Sequence, residues 1–246
     1  DSQRARAMAI LNALLGSYGN RGGFYFPESK KVPHFPSPAY PKPKWQWQDV
    51  ADGKYKFAKT AVTNVLIDAS LPEANPEKKI RAWMVVGTNL PLTMPDERIT
   101  EKAMAELEFI AVVDTMPMEI TGYADVILPE CTYIERYDDI RIAQNRVPTL
   151  AIRVPAARPK YQSRPGWQIA QKIAIKLGLS SYFNYGDYSE VLEWQLNQIG
   201  TNLKDATKEG VIELAGKDHL YIRENEDYHF KTPAVKIELL SQQLHD

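Results

Sequence analysis

The sequence predicts an α/β fold in which a mostly parallel sheet is flanked by helices and followed by a less regular carboxyl-terminal part. Three observations carry this. Residues 80–86 (IRAWMVV) and 109–113 (FIAVV) are apolar without alternation, as in strands buried on both faces. Residues 97–107 between them have the amphipathic spacing of a helix. A third short run, ADVILP at 124–129, ends in a proline that stops a strand. Strand, helix, strand, short turn-rich segment and strand in this order describe a parallel sheet wound right-handed.

The remaining elements follow in chain order. Residues 4–15 place Ala7, Met8, Leu11, Leu14 and Leu15 at helical spacing, with Asp1 or Ser2 as cap and Gly16, Gly19, Gly22 and Gly23 as the stop. The stretch FPESKKVPHFPSPAYPKPKWQWQD carries six prolines and excludes a regular element; its aromatic residues suit packing over a surface better than a free linker. Residues 54–71 read as helix. So do residues 164–179 (RPGWQIAQKIAIKLGL), with Trp167, Ile169, Ala170, Ile173, Ala174 and Leu177 on the apolar side and Gly178 at the end. GVIELAG, HLYIREN and TPAVKIELLSQQL are short β-like or helical pieces without a repeat. The expected organisation is a helix and glycine-rich turn at 1–26, a proline-rich packed segment at 27–60, an α/β domain at 61–180 and an irregular segment at 181–246.

Composition narrows the function classes. Thirty Lys and Arg against 31 Asp and Glu give a net charge of −1, which argues against a general nucleic-acid or membrane-surface binder. No apolar stretch approaches the roughly 20 residues that span a bilayer, so direct membrane insertion is not expected. No signal peptide is visible, and the chain opens without an initiator methionine almost directly into a helix, as a segment of a longer polypeptide would. The single cysteine, Cys131, excludes an internal disulfide and any multi-cysteine metal site built from this chain alone. His34, His219, His229 and His245 have no metal-ligand spacing and read as surface or loop residues, so no metal ligand is assigned.

In open parallel sheets ligands bind beyond the carboxyl ends of the strands. Three such ends are Gly87-Thr88-Asn89, Asp114-Thr115 and Pro129-Glu130. The first offers a glycine that admits close backbone approach, a hydroxyl and an amide. The second offers a carboxylate, which can accept paired hydrogen bonds from the N1–H and N2 amine of a guanine or from ribose hydroxyls. The plain alternatives are a turn at Gly87 and a helix cap at Asp114. Neither GxGxxG nor GxxxxGK[ST] is present, so an ordinary dinucleotide or NTP loop is not expected. No nucleophile–base pair stands out, Cys131 reads as a packing residue, and no catalytic residue is assigned. YIERYDD at 133–139 is either a solvated charged loop or a place from which Arg136 reaches a pyrophosphate over the strand ends.

The segments RAWMVVGTNLPLTMPD, LEFIAVVDTMPMEITGYADVILPECTYIERYDD and RPGWQIAQKIAIKLGL together resemble the molybdopterin oxidoreductases of the dimethyl-sulfoxide-reductase superfamily. Asp114, Glu119 and Ala124-Asp125-Val126-Ile127-Leu128-Pro129 keep that family's spacing. RARAMAILNALLGSYGNRGG resembles its helix and glycine turn, and TPAVKIELLSQQL its TPSGKIELYSE segment. Three departures stand out: Leu90 replaces the proline of the family's GxNP loop and Pro91 follows, Glu119-Ile120-Thr121 replaces Glu-Thr-Ala, and Ala234-Val235 replaces Ser-Gly.

The resemblance implies a Rossmann-like domain at 61–180 that grips one end of a bis-molybdopterin guanine dinucleotide carrying molybdenum or tungsten. It implies that Gly87, Thr88 and Asn89 contact one guanylyl half, that Asp114 with Thr115 receives the guanine, that Val113 contributes backbone, and that Arg136 lies by the phosphates. It further implies a 4Fe-4S cluster, the metal-ligating residue and a β-barrel elsewhere in a longer polypeptide. The implied partners are a ferredoxin-like iron–sulfur subunit and a membrane anchor subunit on the periplasmic side. The wording LPECTYIERYDD is most similar to the polysulfide, thiosulfate and tetrathionate reductase branch, with arsenate reductases near it. Two rivals remain at this level: a metal-free homologue serving as a scaffold in a respiratory complex, and an unrelated nucleotide-binding or thiamin-type α/β domain.

Overall fold

The computed structural model describes residues 2–27, 30–41, 62–215 and 229–240. Its elements in chain order are α1 (Ser2–Leu14), α2 (Thr63–Asp68), β1 (Ala82–Val86), α3 (Leu90–Thr93), α4 (Glu97–Ala105), β2 (Phe109–Asp114), a 3-10 turn (Glu119–Tyr123), β3 (Val126–Pro129), β4 (Arg141–Ala143), β5 (Thr149–Ala151), α5 (Gly166–Lys176), α6 (Tyr188–Asn197), α7 (Leu203–Glu209) and β6 (Val211–Glu213). Of the helix expected at 54–71, α2 covers Thr63–Asp68 and residues 69–71 turn away; residues 54–61 lie outside the described residues, as do HLYIREN, the end of the last segment and residues 28–29 and 42–49 of the proline-rich stretch.

The chain divides into two compact units. The unit of Phe35–Asp138 and Arg153–Val191 contains the parallel sheet, in the order β1-β2-β3. Trp83 lies beside Ile110, Val85 beside Val112, and Val112 beside Ile127. On one face Trp83, Val85, Ile110 and Val112 pack with Ile67, Leu90, Ala103, Met104 and Ile120. Burial of each large aliphatic member stabilises the fold by about 1.5–3 kcal/mol. The polar edge of Trp83 is satisfied inside the core: its Nε1 donates to Ser70 Oγ at 3.0 Å, and that hydroxyl donates to the Leu66 carbonyl at 2.8 Å. This pairing is what lets Ser70 be buried.

Local chemistry explains the crossovers. Asp96 caps α4 by accepting from the Ile99 N–H at 3.2 Å, and the helix presents Thr100, Ala103 and Met104 to the core. Asp125, just before β3, accepts from Ile110 N–H at 2.8 Å and donates its own N–H to the Ile110 carbonyl at 2.9 Å, which pins the start of β3 against β2. Pro129 closes β3, an edge strand of this sheet among the described residues, where a missing N–H breaks no central ladder.

One expectation is corrected. β2 is buried on both faces, but β1 is buried on one only: Met84 and Val86 are exposed while Trp83 and Val85 are not. An unbroken apolar run permits burial on both sides, yet a covering layer decides it. Among the described residues that layer reaches only the inner face of β1.

The other unit comprises Asp1–His34, Asp139–Ile152 and Leu192–Asp246. It holds an antiparallel sheet in the order β4-β5-β6, in which Leu150 of β5 is buried, and buried Leu192, Leu196 and Ala206 on α6 and α7. The sequence reading did not anticipate this sheet beyond the β-like GVIELAG. α1 ends as expected at Gly16, and the following turn closes where Phe24 N–H donates to the Ser17 carbonyl at 2.8 Å. A Cβ at Gly23 would lie 2.0 Å from that same carbonyl oxygen, so only glycine fits there.

Candidate cofactor-binding site

The carboxyl ends of β1, β2 and β3 are brought side by side by the parallel register, and backbone bonds extend the ladder past the strands. Gly87 N–H donates to the Val113 carbonyl at 3.0 Å, and Glu130 N–H donates to the Asp114 carbonyl at 2.9 Å. Gly87 adopts φ of +61°, and nothing lies within 4 Å of the place where a Cβ would stand. The space above this glycine is therefore open, as close backbone approach by a ligand requires.

Of the sequence-predicted residues, Gly87, Thr88, Val113, Asp114 and Thr115 gather at this edge. The Val113 side chain is buried and its carbonyl accepts from Gly87 N–H. Asp114 is the most informative. Its Oδ1 accepts from Thr115 N–H at 2.7 Å and more distantly from the Met116 N–H and the Thr115 hydroxyl. Its Oδ2 is buried and, among the described residues, has no hydrogen-bond partner. A carboxylate oxygen removed from water and left without a donor is costly, and a donor supplied from outside removes the cost.

Asn89 behaves differently. It is 7% exposed, and both ends of its amide face the protein. Nδ2 donates to Glu119 Oε2 at 2.5 Å, and Oδ1 accepts from Ile120 N–H at 3.2 Å. The Asn89 carbonyl meanwhile starts α3, accepting from Leu92 at 3.1 Å and Thr93 at 3.0 Å. Glu119 is held below its ordinary value by its own backbone N–H and then by the Asn89 amide. Sequence reasoning assigned Glu119 no role; its signal was the family spacing from Asp114 to the ADVILP block.

Arg136 is placed at the tip of β3. Its Nη1 pairs with Glu130 and its Nε with Asp138 at 3.0 Å, while Asp138 also holds Arg153 at 2.6 Å. Arg153 in turn lies 5.0 Å over the Tyr133 ring. Glu130, which sequence reasoning left without a role, joins three elements: it follows β3, pairs with Arg136, and accepts from Gly166 N–H at the start of α5 at 3.1 Å. A Cβ at Gly166 would stand 2.8 Å from that carboxylate oxygen.

Glu135 accepts from Thr132 N–H and hydroxyl at 2.9 and 2.8 Å and from Lys160 N–H at 3.1 Å, and the Thr132 bonds hold its carboxyl low. Cys131 is wholly buried, with its thiol 3.9 Å from the Ser163 hydroxyl; burial pushes that thiol up, away from the thiolate a nucleophile needs. Among the described residues no group of three acidic, histidine or cysteine side chains is placed to hold a metal, and no helix is long and apolar enough to cross a membrane.

Comparison with known proteins agrees with this architecture. The chain is 27% identical over 280 aligned positions to the thiosulfate reductase molybdopterin-containing subunit PhsA of Salmonella typhimurium, covering 98% of this chain and 36% of that protein. It is 30% identical over 149 residues to the F420-dependent formate dehydrogenase subunit alpha of Methanocaldococcus jannaschii, covering 59% and 22%. The chain thus spans about a third or less of the length of these curated relatives. The solved structure of acetylene hydratase from Pelobacter acetylenicus shares the fold, with a TM-score of 0.61, 17% identity, and coverage of 76% of this chain and 25% of that one. The family model for molybdopterin oxidoreductases matches residues 3–176, so the chain belongs to the molybdopterin oxidoreductase family.

Proposed function

We propose that this chain is the central cofactor-binding part of a molybdenum oxidoreductase that reduces polysulfide, thiosulfate, tetrathionate or a similar oxyanion, and that residues 61–180 hold the guanine end of a bis-molybdopterin guanine dinucleotide. The observation that carries the reading is the buried, partnerless Oδ2 of Asp114 beside the open space over Gly87. A guanine presents two adjacent donors, N1–H and the N2 amine; the partnerless Oδ2 of Asp114 can accept one, and Oδ1, bonded closely only by Thr115 N–H, can accept the other. The residues present therefore fit the group.

In this role the bound cofactor supplies the two-electron chemistry at its metal, and the chain supplies binding and orientation. Asp114 accepts from the base, Gly87 and Thr88 let the nucleotide approach the sheet edge, and Thr115 fixes the Asp114 rotamer through its N–H. Arg136, anchored by Glu130 and Asp138, retains a guanidinium edge at Nη2 for the phosphates. The sulfur-oxyanion assignment rests on the likeness to the thiosulfate reductase subunit over nearly the whole chain. A 4Fe-4S cluster elsewhere in the polypeptide, a ferredoxin-like iron–sulfur subunit, a membrane anchor subunit and a periplasmic location complete the proposal.

The test is Asp114→Ala in the full-length enzyme. Cofactor occupancy, read as molybdenum or tungsten per protein, should fall, with a loss of about 1–3 kcal/mol in guanine affinity. Unchanged metal content and activity would remove Asp114 from the site. Assay of the intact enzyme against thiosulfate, tetrathionate, polysulfide and arsenate selects among the substrates.

A further inference from the structure

Resting on the reading of this edge as a guanine-nucleotide seat, we propose that Glu119 is a positioning residue. By accepting from the Asn89 amide it ties the loop after β1 to the loop after β2, and this fixes Asp114 in the shape that receives the base.

The geometry is that of a bracket with a donor and an acceptor at each end. Asn89 Nδ2 needs an acceptor and finds Glu119 Oε2 at 2.5 Å; Asn89 Oδ1 needs a donor and finds Ile120 N–H at 3.2 Å. An amide in this one orientation satisfies both neighbours, whereas two carboxylates at these positions would face each other. The far end of the bracket does not move with solvent, because the Ile120 side chain is fully buried in the core against the inner face of the sheet. The near end is fixed by Gly87, which continues the ladder onto Val113. Between Asp114 and Glu119 the residues Thr115, Met116, Pro117 and Met118 are exposed. The Asp114 loop is thus held by β2 on one side and by this bracket on the other. A carboxylate that must meet two donors in one plane depends on both anchors.

Asn89 therefore acts on the ligand through its neighbour. The decisive experiment swaps the polarity of the bracket in the full chain and uses GDP as the probe, with binding measured by calorimetry and unfolding followed in urea. Asn89→Asp should weaken GDP binding by at least about tenfold through like-charge repulsion. Glu119→Gln alone keeps an acceptor for Asn89 and should bind within about threefold of the original protein. The double variant Asn89→Asp/Glu119→Gln reverses donor and acceptor and should recover binding to within about threefold, a rescue that an asparagine in direct contact with the nucleotide would not give.

GDP affinity unchanged in Asn89→Asp would overturn the bracket while leaving the nucleotide seat standing. A double variant that stays as weak as Asn89→Asp would also overturn it. No GDP uptake by the original chain, measured with the same probe, would sink the seat itself and this inference with it.

Discussion

The loops after β1 and β2 start from the same position at the edge of one sheet and use their polar residues in opposite ways. After β1, Asn89 turns inward and gives both ends of its amide to Glu119 and Ile120. After β2, Asp114 bonds its own loop with one oxygen and keeps the other without a partner. The first loop spends its bonding capacity on the protein, and the second keeps part of its own in reserve. A polar residue at a strand end is thus no guide by itself to ligand contact; what matters is whether its bonding capacity is already filled.

That contrast can be broken or sharpened by substitution. The largest loss of stability should come from Ile120→Ala, which empties a fully buried position under the bracket and should cost about 2–5 kcal/mol in urea unfolding. Asn89→Ala leaves the Ile120 N–H without its acceptor in a buried setting and should cost about 1–3 kcal/mol; a neutral result would mean that the amide is not structural. Asp114→Asn keeps the bond to Thr115 and should change stability by less than about 1 kcal/mol, while GDP affinity falls roughly tenfold. If that variant instead loses stability and keeps affinity, the roles of the two loops are reversed. The smallest effect belongs to Arg153→Ala, whose exposed pair with Asp138 should contribute no more than about 1 kcal/mol and fade with added salt.

Glu135, like Glu73 and Glu119, has a carboxyl held low and adds stability that is lost in acid. Its folded carboxyl titrates below its unfolded value, so its stabilising effect is fully present above the unfolded value near pH 4.3 and disappears as pH falls through the lower folded value. Glu135→Gln should lower the neutral plateau and flatten the acid limb, because the contribution it removes is the one present above the unfolded value. A limb of unchanged steepness would show that the Thr132 bonds do not set it.

Much of the parallel unit was legible in the chain. IRAWMVV, FIAVV and ADVILP became β1, β2 and β3 within two residues, because their apolar runs and the proline at 129 act locally. Gly178 marked a helix end for the same reason, whereas the Asp96 cap of α4 emerged only with the structure. The antiparallel sheet escaped because its strands are three residues each and β6 pairs with β5 across about sixty residues of chain. The open outer side of β1 also escaped, since a covering layer is a tertiary fact. At the site, Gly87 and Asp114 could be located from strand-end position alone. The inward turn of Asn89 depends on partners thirty and thirty-one residues away, which no local pattern announces. Arg136 is intermediate: YIERYDD was read as a solvated charged loop or a reach to a pyrophosphate, and neither reading held its pairing with Glu130, which lies outside that segment.

The contact between Glu130 and Gly166 makes two distant positions answerable to each other. A side chain grown at 166 would push the carboxylate aside, taking with it the amide bond at the start of α5 and the grip on Arg136. Among homologues, a bulkier residue at the helix start should therefore occur only with a shorter residue at 130. Covariation between these two columns, thirty-six residues apart, would be the mark left by that crowding.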